Sequence, residues 1–230
     1  MLSIPSIALG YNFEPTLEEF KRWPYFCQAM YARTSVAKGN GFWKMVPKAD
    51  ADKWFKIGDK NGGAWHYCTG LTHIDQAEAS LNPHERERKF KGAIADIMFS
   101  VTRTDNTSSW MALYMVGLGR AYRGLEQYDE AIKVLSRSIR DFPKHLNAYT
   151  LLSLVHRDTK NFTAARNILQ AGDKISKGKS AEINYFLGLV AVDQGDLEEA
   201  RRYADKARKL GYPFNGLHTK IKRHEKEASK

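Results

Sequence analysis

The chain has 230 residues, 43% of them hydrophobic, and a formal net charge of +10. Those values suit a folded globular chain, long enough for one large domain or an extended repeat array. No apolar run reaches the roughly 18 residues that a membrane-crossing helix needs. The excess positive charge gathers in part at the end of the chain. There Lys220, Lys222, Arg223, Lys226 and Lys230 face only Glu225 and Glu227, which reads as a solvated helix end. No nucleic-acid reading motif accompanies it, so no specific nucleic-acid partner is expected.

The first ten residues, MLSIPSIALG, are a short apolar run ending in small residues. They read like the end of an export signal, although no basic segment precedes them. Residues 1–63 form an irregular region, broken by Pro5, Pro15, Pro24 and Pro47 and by glycine-rich runs at 38–41 and 61–63. Helix-capable pieces lie between the breaks. Thr16 caps a segment from Leu17, with Glu18 and Glu19 where negative charge suits the helix dipole. A second piece spans Tyr25 to Ala37, and a third Asp50 to Ile57. Phe42, Trp43, Trp54 and Phe55 are large apolar groups in a polar background. They are expected to anchor this region onto the helical body, the alternative being an exposed aromatic patch.

The two cysteines, Cys27 and Cys68, are an even pair. A disulfide between them would restrain the N-terminal region and imply an oxidising compartment, periplasmic or otherwise exported. Two buried thiols in the cytoplasm are the alternative.

Residues 64–82 read as a helix with Trp65, Cys68, Leu71 and Ile74 on one face, in steps of three and four. Asn82-Pro83 ends it and starts a second helix to about Arg103, with Phe90, Ala93, Ile94 and Ile97 inward. The pair, 64–103, looks like a degenerate member of the series that follows. From Trp110 the pattern is cleaner. Helices are expected over Trp110 to Arg123, Tyr128 to Asp141, Leu146 to Asp158, Phe162 to Ile175, Ala181 to Asp193 and Leu197 to Leu210. Gly124 is expected to turn the chain within the first pair. Residues 214–230 form a basic capping helix or tail.

Ala131, Ala165 and Ala200 sit 34 and 35 residues apart, each shortly after a polar turn. A period in this range marks stacked helical hairpins, each leaving an apolar face that only a neighbour can cover. On these residues the chain resembles the tetratricopeptide repeat family. The family's bulky, Leu-Gly, Tyr, Ala, bulky, Ala and Pro positions fall in the first repeat on Met115, Leu118, Gly119, Tyr122, Ala131, Leu135, Ser138 and Pro143. In the second they fall on Tyr149, Leu152, Ser153, His156, Ala165, Leu169, Gly172 and Lys177. In the third they fall on Asn184, Leu187, Gly188, Ala191, Ala200, Ala204 and Ala207. The resemblance is clear over 110–213, within a repeat domain of 64–213. It implies an all-α, right-handed α-solenoid of antiparallel helix hairpins behind the irregular N-terminal region. The arrangement is loosely similar to exported repeat proteins of Gram-negative bacteria.

In that family the first helix of each hairpin lines the ligand groove. The resemblance places Leu113, Val116, Arg120 and Arg123 there, then Asn147, Thr150, Leu154 and Arg157, then Tyr185 and Leu189, with Glu182 beside them. Arg120, Arg123 and Arg157 would form a cationic patch for acidic side chains or a C-terminal carboxylate, because the guanidinium fork matches a carboxylate with two hydrogen bonds. The opposing reading is a surface charge row balanced by Asp158 and Asp193.

Catalytic and metal signatures are lacking. No HExxH, CxxC or CxxCH spacing occurs, and neither a phosphate-binding loop nor a GxSxG elbow is present, so no metal and no cofactor is expected. His66 and His73 share a helix face but stand two turns apart. An enzyme site in residues 1–82 would need two or more of Cys27, His66, Cys68, His73 and Asp75 to converge. His156 occupies a repeat tyrosine position and reads as a core-edge histidine. The expected function is a non-catalytic scaffold that holds a protein or peptide. The alternatives are a structural subunit of an envelope or secretion assembly, contacting its partners through the aromatic region, and an enzyme.

Overall fold

The computed structural model describes residues 13–228. The export-signal reading of residues 1–10 lies outside them. The described residues form thirteen α-helices and one 3-10 turn, with no strand among them. They fall into two compact units, Met1–Asp105 and Asn106–Lys230.

In the first unit, α1 (Leu17–Arg22) opens on a reciprocal cap. The Thr16 hydroxyl accepts the Glu19 N–H, and the Glu19 carboxylate accepts the Thr16 N–H at 2.7 Å. Where the sequence leads one to expect a single helix over Tyr25–Ala37, two occur, α2 (Tyr25–Tyr31) and α3 (Ser35–Asn40). The cause is Thr34. It takes an extended conformation and its hydroxyl accepts the Ala37 N–H at 3.1 Å, so a new helix starts there. Gly41 ends α3 at φ 81°, a left-handed conformation that suits glycine. A 3-10 turn (Phe42–Met45) and α4 (Lys48–Lys60) follow, the latter longer than the expected 50–57 because Pro47 leads directly into its first turn.

An aromatic cluster holds this unit together. The Phe20 ring lies 6.0, 5.9 and 5.0 Å from those of Trp23, Tyr31 and Phe42. The buried Trp23 indole N–H donates to the Thr72 hydroxyl at 2.7 Å, tying the segment to α5 (Trp65–Ala79). Phe55 stacks on Trp65 at 5.1 Å and Phe26 lies 5.9 Å from Trp54. Phe55 therefore ties the region to α5, Phe42 and Trp54 pack within the region itself, and Trp43 remains 46% exposed. Cys27 of α2 and Cys68 of α5 are joined as a disulfide with Cα atoms 5.6 Å apart, both side chains buried. Helix α6 (Pro83–Val101) is capped by Asn82, whose side chain accepts the His84 and Glu85 N–H groups. It packs against α5 within the first unit.

The second unit contains three antiparallel hairpins. They are α7 (Trp110–Gly124) with α8 (Tyr128–Asp141), α9 (Asn147–Asp158) with α10 (Phe162–Ser176), and α11 (Ala181–Asp193) with α12 (Leu197–Lys209). Each hairpin packs on the next, α7 meets α9, and α9 meets α11. Helix α13 (Gly216–Ala228) closes the stack against α11 and α12 through Leu217 and Ile221. Ala131, Ala165 and Ala200 are fully buried, as the period requires.

The hairpin turns repeat as closely as the alanines. Glu126, Lys160 and Gly195 take left-handed φ values of 59°, 60° and 82°. The next residue in each case, Gln127, Asn161 or Asp196, donates its N–H to Tyr122, His156 or Ala191 at 2.9, 2.7 and 2.9 Å. The reversal thus sits at Glu126, two residues beyond Gly124, which is the last helical residue of α7. Two of the three turns manage without glycine because the closing hydrogen bond offsets the strain of a side chain in that conformation.

Candidate functional site

The face shared by α7, α9 and α11 is built from four rows with the repeat spacing. They are Leu113–Asn147–Glu182, Val116–Thr150–Tyr185, Arg120–Leu154–Leu189 and Arg123–Arg157–Val192. Since the first helices are neighbours, residues in a row are neighbours too. Leu113, Val116, Leu154, Tyr185 and Leu189 are half-buried, and Asn147 is exposed. Val116 and Leu154 pack onto the core between the first and second hairpins. Tyr185 and Leu189 pack onto the core beneath α13. The middle of the face is therefore an apolar strip with its side chains held from below.

Thr150 lies deeper than a groove residue would, at 4% exposure. Its hydroxyl donates to the Asn147 carbonyl at 3.1 Å. Burial pushes the Glu182 carboxyl above its ordinary range, and the Thr150 contact only partly opposes this.

The arginines are organised into a ladder. Arg123 spans Asp158 on the next first helix with two bonds, Nε to Oδ2 at 2.5 Å and an Nη to Oδ1 at 3.3 Å. One hairpin further, Arg157 Nε donates to Asp193 Oδ2 at 2.6 Å, and Lys220 of α13 donates to Asp193 Oδ1 at 2.7 Å. Burial alone would raise the Asp193 carboxyl; the Arg157 and Lys220 bonds outweigh it and hold the group below the usual carboxylate range. The balancing of arginines by Asp158 and Asp193 is thus realised, and Arg123 and Arg157 link successive hairpins. Three cations, Arg123, Arg157 and Lys220, share two carboxylates.

Three contributors were not foreseen. Lys220 belongs to the tail read as a solvated helix end. Leu217 and Ile221, four apart, were the available sign that α13 packs. Tyr212 stacks on Tyr185 at 4.2 Å, and Phe214, 67% exposed, stands edge-on to Tyr212. Burial pushes the Tyr212 hydroxyl up to about 12. Both residues follow α12 and lie outside the first-helix rows, which is why repeat spacing missed them.

The hairpins have the fold of tetratricopeptide repeats. Residues 124–207 match the profile of the family described as anaphase-promoting complex, cyclosome, subunit 3. The crystal structure of TTC0263, a thermophilic repeat protein of this kind from Thermus thermophilus, superposes with a TM-score of 0.56 at 17% identity, over 80% of this chain and 94% of that one. The first repeat domain of Spaghetti (RPAP3), bound to an HSP90 peptide, gives 0.48 at 17% identity over 54% and 97%. MamA from Desulfovibrio magneticus RS-1 gives 0.47 at 19% over 66% and 81%. No curated protein matches the chain.

The repeat positions behave as their chemistry requires. A Cβ on Gly119 would fall 2.6 Å from Leu135 Cγ, and one on Gly188 would fall 2.4 Å from a Leu217 methyl. Ser153 stands in the glycine position of the second repeat, fully buried, and its hydroxyl turns back to the Thr150 carbonyl at 2.7 Å. Asn184 replaces a bulky core residue and donates to the Ser180 carbonyl at 2.7 Å. His156 is half-buried and burial pushes its pKa down, in keeping with a core-edge histidine.

In the first unit, the residues considered for an enzyme site converge only in pairs. Cys27 and Cys68 are bonded to each other. His66 and His73 both face Asp96 of α6, with Nδ1 atoms 3.5 and 3.2 Å from its two oxygens. Asp96 was not foreseen because it lies across the hairpin. Asp75 is exposed. Among the described residues no group of three or more His, Cys, Asp or Glu side chains is placed to hold a metal ion.

Proposed function

We propose that the repeat unit is a non-catalytic scaffold that holds a protein or peptide on the α7–α9–α11 face. The observation that carries this reading is the apolar strip Leu113, Val116, Leu154, Tyr185 and Leu189, of which all but Leu113 pack onto the core beneath, flanked by polar rows. Such a surface offers contact area with little side-chain entropy left to lose. The Asn147 amide supplies hydrogen bonds for a peptide backbone. An acidic side chain or a C-terminal carboxylate would sit at the ladder end, where the cations outnumber the carboxylates and the potential stays positive.

Selection of displayed peptides with free carboxyl termini, followed by anisotropy on the selected sequences, tests this reading. Leu154→Ala and Tyr185→Ala are expected to weaken binding, and amidation of the peptide terminus to weaken it further. The pair Arg120→Glu and Arg157→Glu should abolish the preference for acid. Unchanged binding by all of these variants, each folded by circular dichroism, overturns the assignment of the face.

The cysteine pair supports a second statement, that the chain works in an oxidising compartment, periplasmic or otherwise exported. Protein taken from its native compartment should gain about two daltons on reduction, one hydrogen per sulfur. Free thiols in that material would remove the compartment argument and leave the scaffold reading standing.

A further inference from the structure

The first unit holds a cavity of about 540 Å3 lined by Ala32, Arg33, Lys38, Trp43, Lys44, Val46, Lys48 and Ala51. Its origin is local. The Thr34 cap splits what would be one helix, α3 diverges from α2, and Gly41 turns the chain back towards α4. Among the described residues none fills the space between the end of α2, the 3-10 turn and the start of α4. The volume falls within the roughly 300–1,000 Å3 of small-molecule sites.

Floor and rim differ in chemistry. Ala32, Val46 and Ala51 are buried at 6%, 5% and 3% exposure and make an apolar base. The exposed Trp43 ring forms one wall. Around it stand four cations and one acid. Arg33 and Lys48 share Asp52 at 3.0 and 2.6 Å. Among the described residues no carboxylate pairs with Lys38 or with Lys44, whose Nζ lies 5.9 Å from the Trp43 ring centroid. The rim thus carries an excess of three positive charges over an apolar floor. An apolar hollow with a few convergent polar groups at its mouth has the make-up of a small-molecule site.

We infer that this cavity binds a small amphiphilic anion, a carboxylate or phosphate carried on an apolar body. The body lies along Trp43 over Ala32, Val46 and Ala51, and the acid group meets Lys38 and Lys44 at the rim. A neutral apolar molecule would forgo the charge, and a cation would be repelled by the rim. The site is built from residues of the first unit alone and does not depend on the reading of the repeat face.

The test uses the whole chain and monomeric dodecanoate, with dodecanol, dodecyltrimethylammonium and inorganic phosphate as comparisons, by calorimetry. Saturable one-to-one binding of dodecanoate is expected, with shifts of the Val46 and Ala51 methyl resonances. Affinity should fall about tenfold or more in Lys38→Glu with Lys44→Glu and in Trp43→Ala, all at exposed positions that leave the fold intact. Equal binding of the cationic homologue, or unchanged affinity in both variants, overturns the proposal. Sedimentation with phosphatidylglycerol vesicles separates the sources of the anion. Vesicle binding that dodecanoate competes away supports the same site reading a membrane lipid, whereas vesicle binding without any dodecanoate binding overturns it.

Discussion

Asp193 accepts a hydrogen bond from Arg157 across the step between the second and third hairpins, with both side chains less than one-fifth exposed. A repeat array depends on the contacts between neighbouring units, so a charged bond at that step joins stability to the geometry of the binding face. The same aspartate holds Lys220, which ties α13 to the stack.

Replacement Asp193→Asn removes the negative charge that Arg157 and Lys220 share and leaves one acceptor oxygen for two cations. A loss of about 2 kcal/mol in urea unfolding is expected, below the full cost of breaking a deeply buried pair because the site is not dry. In a double-mutant cycle with Arg157→Gln the two losses should fall short of additive by about 1 kcal/mol or more. Additive losses would show that the pair contributes nothing as a pair.

Acid should act on the first unit through Asp96. Burial alone would raise this carboxyl, but the His66 and His73 contacts outweigh it, and the net shift is downward. A depressed folded pKa means that its stabilisation is fully present above the unfolded carboxylate value of about 3.9 and is lost as pH falls through the lower folded value. Between pH 5 and 3, wild type should therefore lose more stability than Asp96→Asn. Parallel curves would deny Asp96 that role.

The hairpins from Trp110 onward were legible because a stack repeats its constraints. The alanine spacing fixed which helices pair, whereas row offsets alone did not show that Thr150 is buried beneath the shared face. What escaped notice came from contacts with no period. Asp96 meets His66 and His73 across a hairpin, Lys220 reaches Asp193 from the closing helix, and Tyr212 stacks on Tyr185 from a connector. The split at Thr34 was present in the sequence, yet a capping threonine inside an apolar pattern is easily read as a helical residue. The cavity that results from this split was invisible for the same reason.

At Gly119 the two helices of the first hairpin approach too closely for a side chain. An alanine Cβ there would meet Leu135 Cγ at 2.6 Å and both Leu135 methyls within 2.9 Å. Overpacking of this kind costs about 1–3 kcal/mol, partly offset by the roughly 1 kcal/mol by which alanine favours a helix over glycine. Gly119→Ala should lower stability, and adding Leu135→Val should recover part of the loss. A gain in stability from the single change would mean that the hairpin opens freely.

Glu182 should behave in the opposite sense to the two aspartates. Burial raises its carboxyl and Thr150 only partly opposes the shift. A folded pKa above the unfolded one, about 4.3 for glutamate, makes the ionised group a burden on the native state. The contribution is favourable below that unfolded value and is lost as pH rises through the folded value. Glu182→Gln removes the burden at neutral pH and keeps an acceptor for Thr150. Its urea midpoint at pH 7 should exceed that of wild type, and the difference should shrink as the pH is lowered towards 4. A variant less stable than wild type at pH 7 would mean that the carboxylate is held by a favourable contact, and a difference that does not change with pH would mean that its ionisation is not the cause.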